Sequence, residues 1–353
     1  MANFGPKDIK KLREMTSAGM MDCKNALKDS DGDMDKAVLW LKEKGLGAAA
    51  KKASKVAAEG LIAVKFDENK ASIVEINSQT DFVAKNDTFI NVTKEIVNHA
   101  FNNSLVDADA INASEINGQP FSEYLATQIS TIGENLVVRR AGLITGDETT
   151  AINGYLHANG QIGVILSAKC DTPEVAKAVA LELKNIAMHI SAMNPKTLSY
   201  KDFDAQFIEE ETKGRIVAIE KENEELKRLG KPLKNVPTYI SMAQLTDSVL
   251  EEAKANIEAE LKAEGKPEKI FDRIVPGKIE RFISDNTTLD QELALLDQKF
   301  VMDDKITVAT YIENVAKKAG GKAEINSFVR LEVGEGIEVE EEDFAAEVAA
   351  QMG

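Results

Sequence analysis

The sequence predicts an α+β fold: an N-terminal three-helix module, two repeated small antiparallel-sheet-plus-helix subdomains, and an inserted antiparallel helical hairpin of coiled-coil type. Three observations carry this reading. Aromatic residues are sparse, 13 Phe, 5 Tyr and 1 Trp, while charged residues reach 29%, a balance that favours amphipathic helices over a β-sandwich. A strand, a turn, a second strand and a helix follow one another from Gly60, and the same order returns from Gly154. Between roughly 203 and 297 the chain is polar, with apolar residues at heptad spacing.

Residues 1–46 read as three short helices. Pro6 and Lys7 open the first, with Ile9 and Leu12 inward; Thr16 to Gly19 breaks it; Met21, Ala26 and Leu27 carry the second; Asp33 to Asp35 caps a third with Ala37, Val38 and Leu41 on one face. Residues 47–58, with Lys51, Lys52 and Lys55, form a linker, either helical or extended. The first subdomain, 59–145, holds a strand from Leu61 to Phe66, a turn, a strand from Ala71 to Asn77, and a helix with Phe89, Val92, Ile96 and Ala100 on one face. The second, 146–208 and 298–337, repeats this with a strand from Tyr155 to Ala158, an Asn159-Gly160 hairpin turn, a strand from Gln161 to Lys169, and a helix carrying Val175, Val179, Leu183, Ile186 and Ile190. A last strand, Phe328 to Val333, is expected to complete its sheet. In the insertion, 209–297, Ile216, Ile219, Asn223 and Leu226 form one seam and Leu250, Ala253, Ile257 and Leu261 another, and the two are expected to pair as a hairpin projecting from the body. Residues 338–353 end the chain in a short helix marked by Phe344, Ala345 and Val348.

Several function classes are disfavoured. A net charge of −16 repels phosphate backbones, so no direct binding to nucleic acid is expected. Two cysteines and three scattered histidines, His99, His157 and His189, make neither a disulfide framework nor a four-ligand zinc site. No apolar run reaches the length of a signal peptide core or a membrane span, so a cytoplasmic protein with no membrane partner is expected. Asp29-Ser-Asp31-Gly-Asp33 resembles a calcium loop, but its glycine is fourth and Trp40 stands where a bidentate glutamate is required, which leaves a helix-to-helix turn. Gly45-Leu-Gly47-Ala-Ala-Ala50 follows a helix and not a strand, so it reads as a helix C-cap and not a dinucleotide loop. Gly320-Gly321-Lys322 lacks the first glycine and the final Ser or Thr of a phosphate-binding loop. Cys23 sits among apolar neighbours. No cofactor, metal or bond-breaking active site is expected; the rival readings are a ubiquitin-like-binding scaffold and a cryptic enzyme using His157 with Cys170.

One stretch stands apart: Asn77-Ser-Gln-Thr80-Asp81-Phe82-Val83-Ala-Lys85-Asn86. Thr80 or Asp81 can cap the following helix, with Phe82 and Val83 in its first turn. Apolar residues beside a cap ordinarily pack inward, so the pattern favours a hydrophobic staple over a protruding partner contact.

The segments LREMTSAGMMDCKNAL, KKASKVAAEG, NSQTDFVAKND, IGENLVVRR, RLEVGEGIE and DFAAEVAAQM stand in the order of the signature segments of bacterial elongation factor Ts, and from about Lys11 to Met352 the chain resembles that family. Its three-helix start is similar to a ubiquitin-associated module, as that family's N-terminal domain is. The stretch from Gly214 to Glu264 departs from the family by reading as an insertion. The resemblance implies a guanine nucleotide exchange factor for elongation factor Tu, in its GDP-bound and nucleotide-free forms, that promotes GDP release in translation. Matched residue by residue, the family's contacts to the partner's nucleotide-binding domain fall on Arg13, Met20 and Met21 and on Thr80, Asp81, Phe82 and Val83, the tip associated with displacing the partner's magnesium ion. His157 matches a contact to another partner domain, and Phe344 and Val348 match the terminal helix. Self-association through the second core subdomain or the hairpin is a further expectation.

Overall fold

The structure, a computed structural model, describes residues 4–16 and 18–338. It is an α+β protein of helices and small sheets, divided into two compact units. One comprises residues up to Ser167 together with those from Phe328 onward, the other Ala168–Ser327.

The first unit opens with α1 (Pro6–Thr16), α2 (Met20–Asp29) and α3 (Met34–Lys52), which close on Leu12, Cys23, Ala26, Leu27, Ala37 and Leu41. Asp33 caps α3 by accepting the Lys36 N–H at 3.0 Å. The helix does not end at Gly45-Leu-Gly47, as a C-cap would require, and it continues into the expected linker as far as Lys52. Two causes are visible. Ala48, Ala49 and Ala50 are strong helix formers. Gly45 is buried against a later helix, where an added methyl carbon would lie 3.5 Å from the Ala126 backbone, so a small residue serves close helix packing there.

There follow β1 (Glu59–Phe66), β2 (Lys70–Ser78), α4 (Asp81–Ala84), α5 (Asp87–Asn102), α6 (Ala108–Asn112), the two-residue strands β3 (Glu115–Ile116) and β4 (Gln119–Pro120), α7 (Phe121–Ile132) and β5 (Val137–Thr145). The strands β1, β2 and β5 make an antiparallel sheet in that order, running from Glu59↔Ser78 to Phe66↔Ala71 on one side of β2 and from Lys70↔Thr145 to Asn77↔Val137 on the other. One face packs Val74, Ile76 and Val138 on Phe89, Ile96 and Phe121; the other packs Ile62, Ile73 and Ile144 on Ile152, Ile165 and Leu331. Because both faces are covered, every residue of β2 from Ala71 to Ser78 is buried, Glu75 included.

A buried carboxylate needs partners. Arg139 Nη1 lies 3.2 and 3.3 Å from the two Glu75 oxygens, Arg140 Nε donates at 2.5 Å, and the Gly334 N–H donates at 2.9 Å. The same guanidinium groups donate to the Glu335 and Glu332 carbonyls, each at 2.6 Å. Two adjacent arginines hid β5 from a reading based on alternation; they belong to the strand because Glu75 takes both.

The chain continues with β6 (Thr150–Leu156), β7 (Ile162–Cys170), α8 (Pro173–Met193), α9 (Ala205–Arg228), α10 (Asp247–Ala263), α11 (Phe271–Asp285), α12 (Thr288–Leu293), the hairpin of β8 (Lys299–Phe300) and β9 (Asp303–Thr307), α13 (Val308–Lys318) and β10 (Ala323–Glu332). The second sheet has the order β10-β7-β6, so the last strand joins it as expected, starting earlier, at Ala323.

In the second unit the two expected seams have other partners. Leu261 and Ile257 of α10 pack on Phe271, Ile274, Val275 and Ile279 of α11. On α9, the Asn223 amide brackets Lys234 of the following extended segment, donating to its carbonyl at 2.8 Å and accepting its N–H at 2.7 Å. Near its start, Ile208 packs on Ile240 and Leu289, and Arg215 grips Glu292 with two hydrogen bonds. The expected pairing of the α9 and α10 seams is therefore corrected: α10 pairs with the next helix, because Phe271 and its neighbours supply a wider apolar face than the mostly charged α9. Excising Gly214 to Glu264 would uncover α11.

His189 is fully buried, accepting the Val301 N–H on Nδ1 at 3.2 Å and facing Gln298 Oε1 from Nε2 at 2.9 Å. Burial holds its pKa below the ordinary value, the Gln298 bond opposing.

Two predictions follow from this packing. Leu261→Ala costs about 2 to 4 kcal/mol, read as faster amide exchange in both α10 and α11. His189 is neutral when folded and binds its proton more readily when unfolded, so its contribution is complete above about pH 6.5 and is lost as pH falls below that. The carboxyls of Asp290 and Asp297, raised by burial, slope the other way. The His189 part is thus read as a difference: the melting-temperature gap between the parent chain and His189→Gln narrows from about pH 7 to about pH 5.

Candidate functional site

The segment after β2 makes a short, tightly held turn. The Gln79 and Thr80 N–H groups both donate to Glu134 Oε2 at 3.0 Å, and Thr80 Oγ1 donates to Glu134 Oε1 at 2.7 Å. Thr80 Oγ1 in turn accepts the Val83 N–H, capping α4, a helix of four residues that could not persist unaided. Asn86 caps α5 directly afterwards, accepting the Thr88 N–H at 2.8 Å. Lys85 lies 2.6 Å from Asp81 and its hydrogen bond holds that carboxyl below the usual range, but both groups are exposed and the pair adds little stability.

Phe82 is 80% exposed. The expected staple is therefore corrected. Successive helix residues point about 100° apart, so one turn cannot send Phe82, Val83 and Ala84 all inward. Val83 packs against the core beside the α5 face, Ala84 is buried, and the larger ring is left in solvent.

The other expected contacts are distributed. Arg13 is exposed in the last turn of α1, and Met20 and Met21, 60% and 63% exposed, open α2. Met15, which the sequence reading did not single out, is exposed as well. His157 is exposed on the β6–β7 hairpin, its Nδ1 3.0 Å from the Tyr155 hydroxyl. Phe344 and Val348 lie outside the described residues. Cys170 is buried and donates to the Ala168 carbonyl. Among the described residues no group of three His, Cys, Asp or Glu side chains could hold a metal ion. In the second unit a cavity of about 910 Å³, lined by Cys170, Leu296, Ile312 and Ile325 among others, contains none of the expected partner contacts, and His157 is not among its lining residues.

Two of these features share a foundation at the start of β1. The tip's base pairs with it through Gly60↔Asn77 and Glu59↔Ser78. The His157 hairpin is bound to it by the Ile62 N–H on the Gly160 carbonyl at 2.8 Å and by the Gln161 amide on the Gly60 carbonyl at 3.0 Å. Gly60 has φ +144°, and a methyl carbon on it would stand 2.2 Å from the Ile76 carbonyl oxygen. Only glycine fits there.

Neither Glu134 nor Glu75 was singled out by sequence reasoning. The one available signal was the position of Glu134 inside IGENLVVRR; periodicity says nothing of a carboxylate that acts across 54 residues.

Stability separates these roles. Phe82→Ala changes unfolding free energy by less than about 0.5 kcal/mol, Val83→Ala costs about 1 to 2 kcal/mol, and Gly60→Ala costs more than about 3 kcal/mol, all measurable by denaturant titration.

The family model described as Elongation factor TS matches residues 79–335. Among curated relatives, each named Elongation factor Ts, the chain is 69% identical over 352 residues to that of Sulfurovum sp. (strain NBC37-1), with all of both chains covered. It is 56% identical over 355 residues to that of Aliarcobacter butzleri, again with full coverage of both, and 50% identical over 355 residues to that of Helicobacter hepaticus, likewise with full coverage. Agreement of this degree along the whole length shows that the chain belongs to the elongation factor Ts family.

Proposed function

We propose that the chain is a guanine nucleotide exchange factor for elongation factor Tu, binding its GDP-bound and nucleotide-free forms and promoting GDP release during translation elongation in the cytoplasm. The observation that carries this reading is the exposed Phe82 on an α4 whose base is hydrogen-bonded in place. An exchange factor breaks no bond. It binds the empty partner better than the loaded one, and by linkage the factor and the nucleotide weaken each other by the same ratio. A wedge that arrives already ordered spends little of its contact energy on its own ordering.

In this reading Thr80, Asp81, Phe82 and Val83 enter beside the partner's nucleotide site and shift the elements that hold its magnesium ion. Arg13, Met20 and Met21, on a module of ubiquitin-associated type, supply binding free energy, as do His157 on a second partner domain and Phe344 and Val348 on the terminal segment. The apolar rim of α1 and α2 is suited to a protein surface. The inserted helices 209–297 and the second subdomain are where self-association would occur. A ubiquitin-like-binding scaffold would use the three-helix module without the tip; it would fail to co-elute with elongation factor Tu on gel filtration.

The test is release of fluorescent GDP from elongation factor Tu with and without the chain. Phe82→Ala slows release by one to two decades, since the contacts of one buried aromatic are worth roughly 2 to 3 kcal/mol, while affinity for the nucleotide-free partner falls far less. Loss of affinity in step with loss of rate would assign Phe82 to binding alone. Calorimetric titration of the isolated chain with GDP or GTP gives no heat of binding; micromolar affinity would contradict an exchange factor that has no phosphate cradle of its own.

A further inference from the structure

We propose that Glu134 is a positioning residue for the Phe82 tip, fixing the turn from which α4 starts so that the ring meets the partner already oriented. The proposal rests on the exchange reading above.

Within the turn the Ser78 hydroxyl donates to the Thr80 carbonyl at 3.1 Å, which leaves the N–H groups of the turn to be held from elsewhere. Pairing of β2 with β1 ends at Ser78↔Glu59 and with β5 at Asn77↔Val137, so the next two N–H groups, of Gln79 and Thr80, lie beyond both ladders. One carboxylate oxygen of Glu134 takes both, and the other takes the Thr80 hydroxyl proton. Hydrogen bonds to a carboxylate are about twice as strong as neutral ones. They also act in relay. With its proton committed to Glu134, the Thr80 hydroxyl presents a lone pair to the Val83 N–H, so the carboxylate orients the very group that caps α4.

The anchor is itself immobilised. Gly133 ends α7 in the left-handed conformation, φ +90°, its N–H bonded to the Ile129 carbonyl at 2.9 Å and its own carbonyl taking the Lys52 ammonium. On the other side, buried Asn135 donates to the Lys55 carbonyl at 2.9 Å, and Leu136 is buried in the core. Glu134 thus projects from a turn tied to the end of α3 before it and to the sheet core after it. A carboxylate held this firmly transmits its position to whatever it binds.

The experiment uses the full chain carrying Glu134→Gln or Glu134→Ala, each alone and combined with Phe82→Ala. Three quantities are read: amide exchange at Gln79 and Thr80, affinity for nucleotide-free elongation factor Tu, and fluorescent GDP release at saturating factor. Loss of the charge-assisted bonds should speed exchange at both amides by about tenfold or more. Release at saturation should fall by about tenfold while affinity changes by less than about threefold. In the Phe82→Ala background neither Glu134 substitution should slow release further, because both act through the same ring. Glu134→Gln keeps the side-chain volume, so it stays informative if Glu134→Ala proves unstable. Unchanged exchange at the two amides, or a full additional loss of release on top of Phe82→Ala, would overturn the assignment. A parent chain that leaves GDP release at its basal rate would instead overturn the exchange reading on which the role rests, and the amide arm would still show whether Glu134 holds the turn.

Discussion

The close crossing of β1 and β2 at Gly60 is the constraint on which the rest of the candidate surface depends. The two backbones approach so nearly that a methyl carbon would lie 2.2 Å from a carbonyl oxygen. That approach sets the register Gly60↔Asn77 and so the point at which β2 releases the chain toward Thr80. The hairpin bearing His157 is hydrogen-bonded to the same few residues. Gly334, just after the last strand, comes so close to Ala58 that a methyl on it would stand 2.4 Å from the Ala58 carbonyl oxygen. Three segments far apart in sequence thus share one strand end, and a displacement there would move them together.

Charge is used sparingly and locally in the first unit. Glu75, at no exposure, would be costly alone, yet two guanidinium groups and a backbone N–H meet it, and those same arginines hold the carbonyls of Glu332 and Glu335. Glu134 holds the tip directly, through two backbone N–H groups and a hydroxyl, whereas Glu75 takes one backbone N–H, of Gly334, and reaches the Glu332 and Glu335 carbonyls through its two arginines. The exposed pairs, such as Lys85 with Asp81, contribute little in comparison. A tip built this way can leave Phe82 in solvent without loss, because its order comes from beneath the ring and not from burying it.

Much of this was legible in the amino-acid sequence. The repeated strand-turn-strand-helix order, the Asn159-Gly160 turn and the apolar faces of α5 and α8 rest on local periodicity and are where they were expected, except that the strand before that turn is Thr150–Leu156 and not Tyr155 to Ala158. What was missed depends on tertiary partners. Phe82 against Val83 is a choice of direction within one turn, settled by which residue meets the core. The continuation of α3 past two glycines needed the surface of α7. The seam of α10 was visible, but its partner was misassigned: Phe271, Ile274, Val275 and Ile279 stand at helical spacing too, and spacing does not say which of two neighbouring apolar faces a seam meets. Glu75 in a fully buried strand and Glu134 after a helix are single polar residues whose meaning lies in the backbone they reach. Family resemblance marked the segments that hold them but not what they do.

The central claim is that the tip promotes release by loosening the partner's magnesium ion, with Phe82 as the acting group. The most direct measurement compares the parent chain with Phe82→Ala for fluorescent GDP release from elongation factor Tu, once in millimolar magnesium and once with magnesium removed by a chelator. Chelation does the tip's work for it, so the account predicts a large gap between the two chains in magnesium that closes, to within about threefold, when the ion is gone. A gap of the same size under both conditions would show that Phe82 acts on something other than magnesium, and would contradict the account.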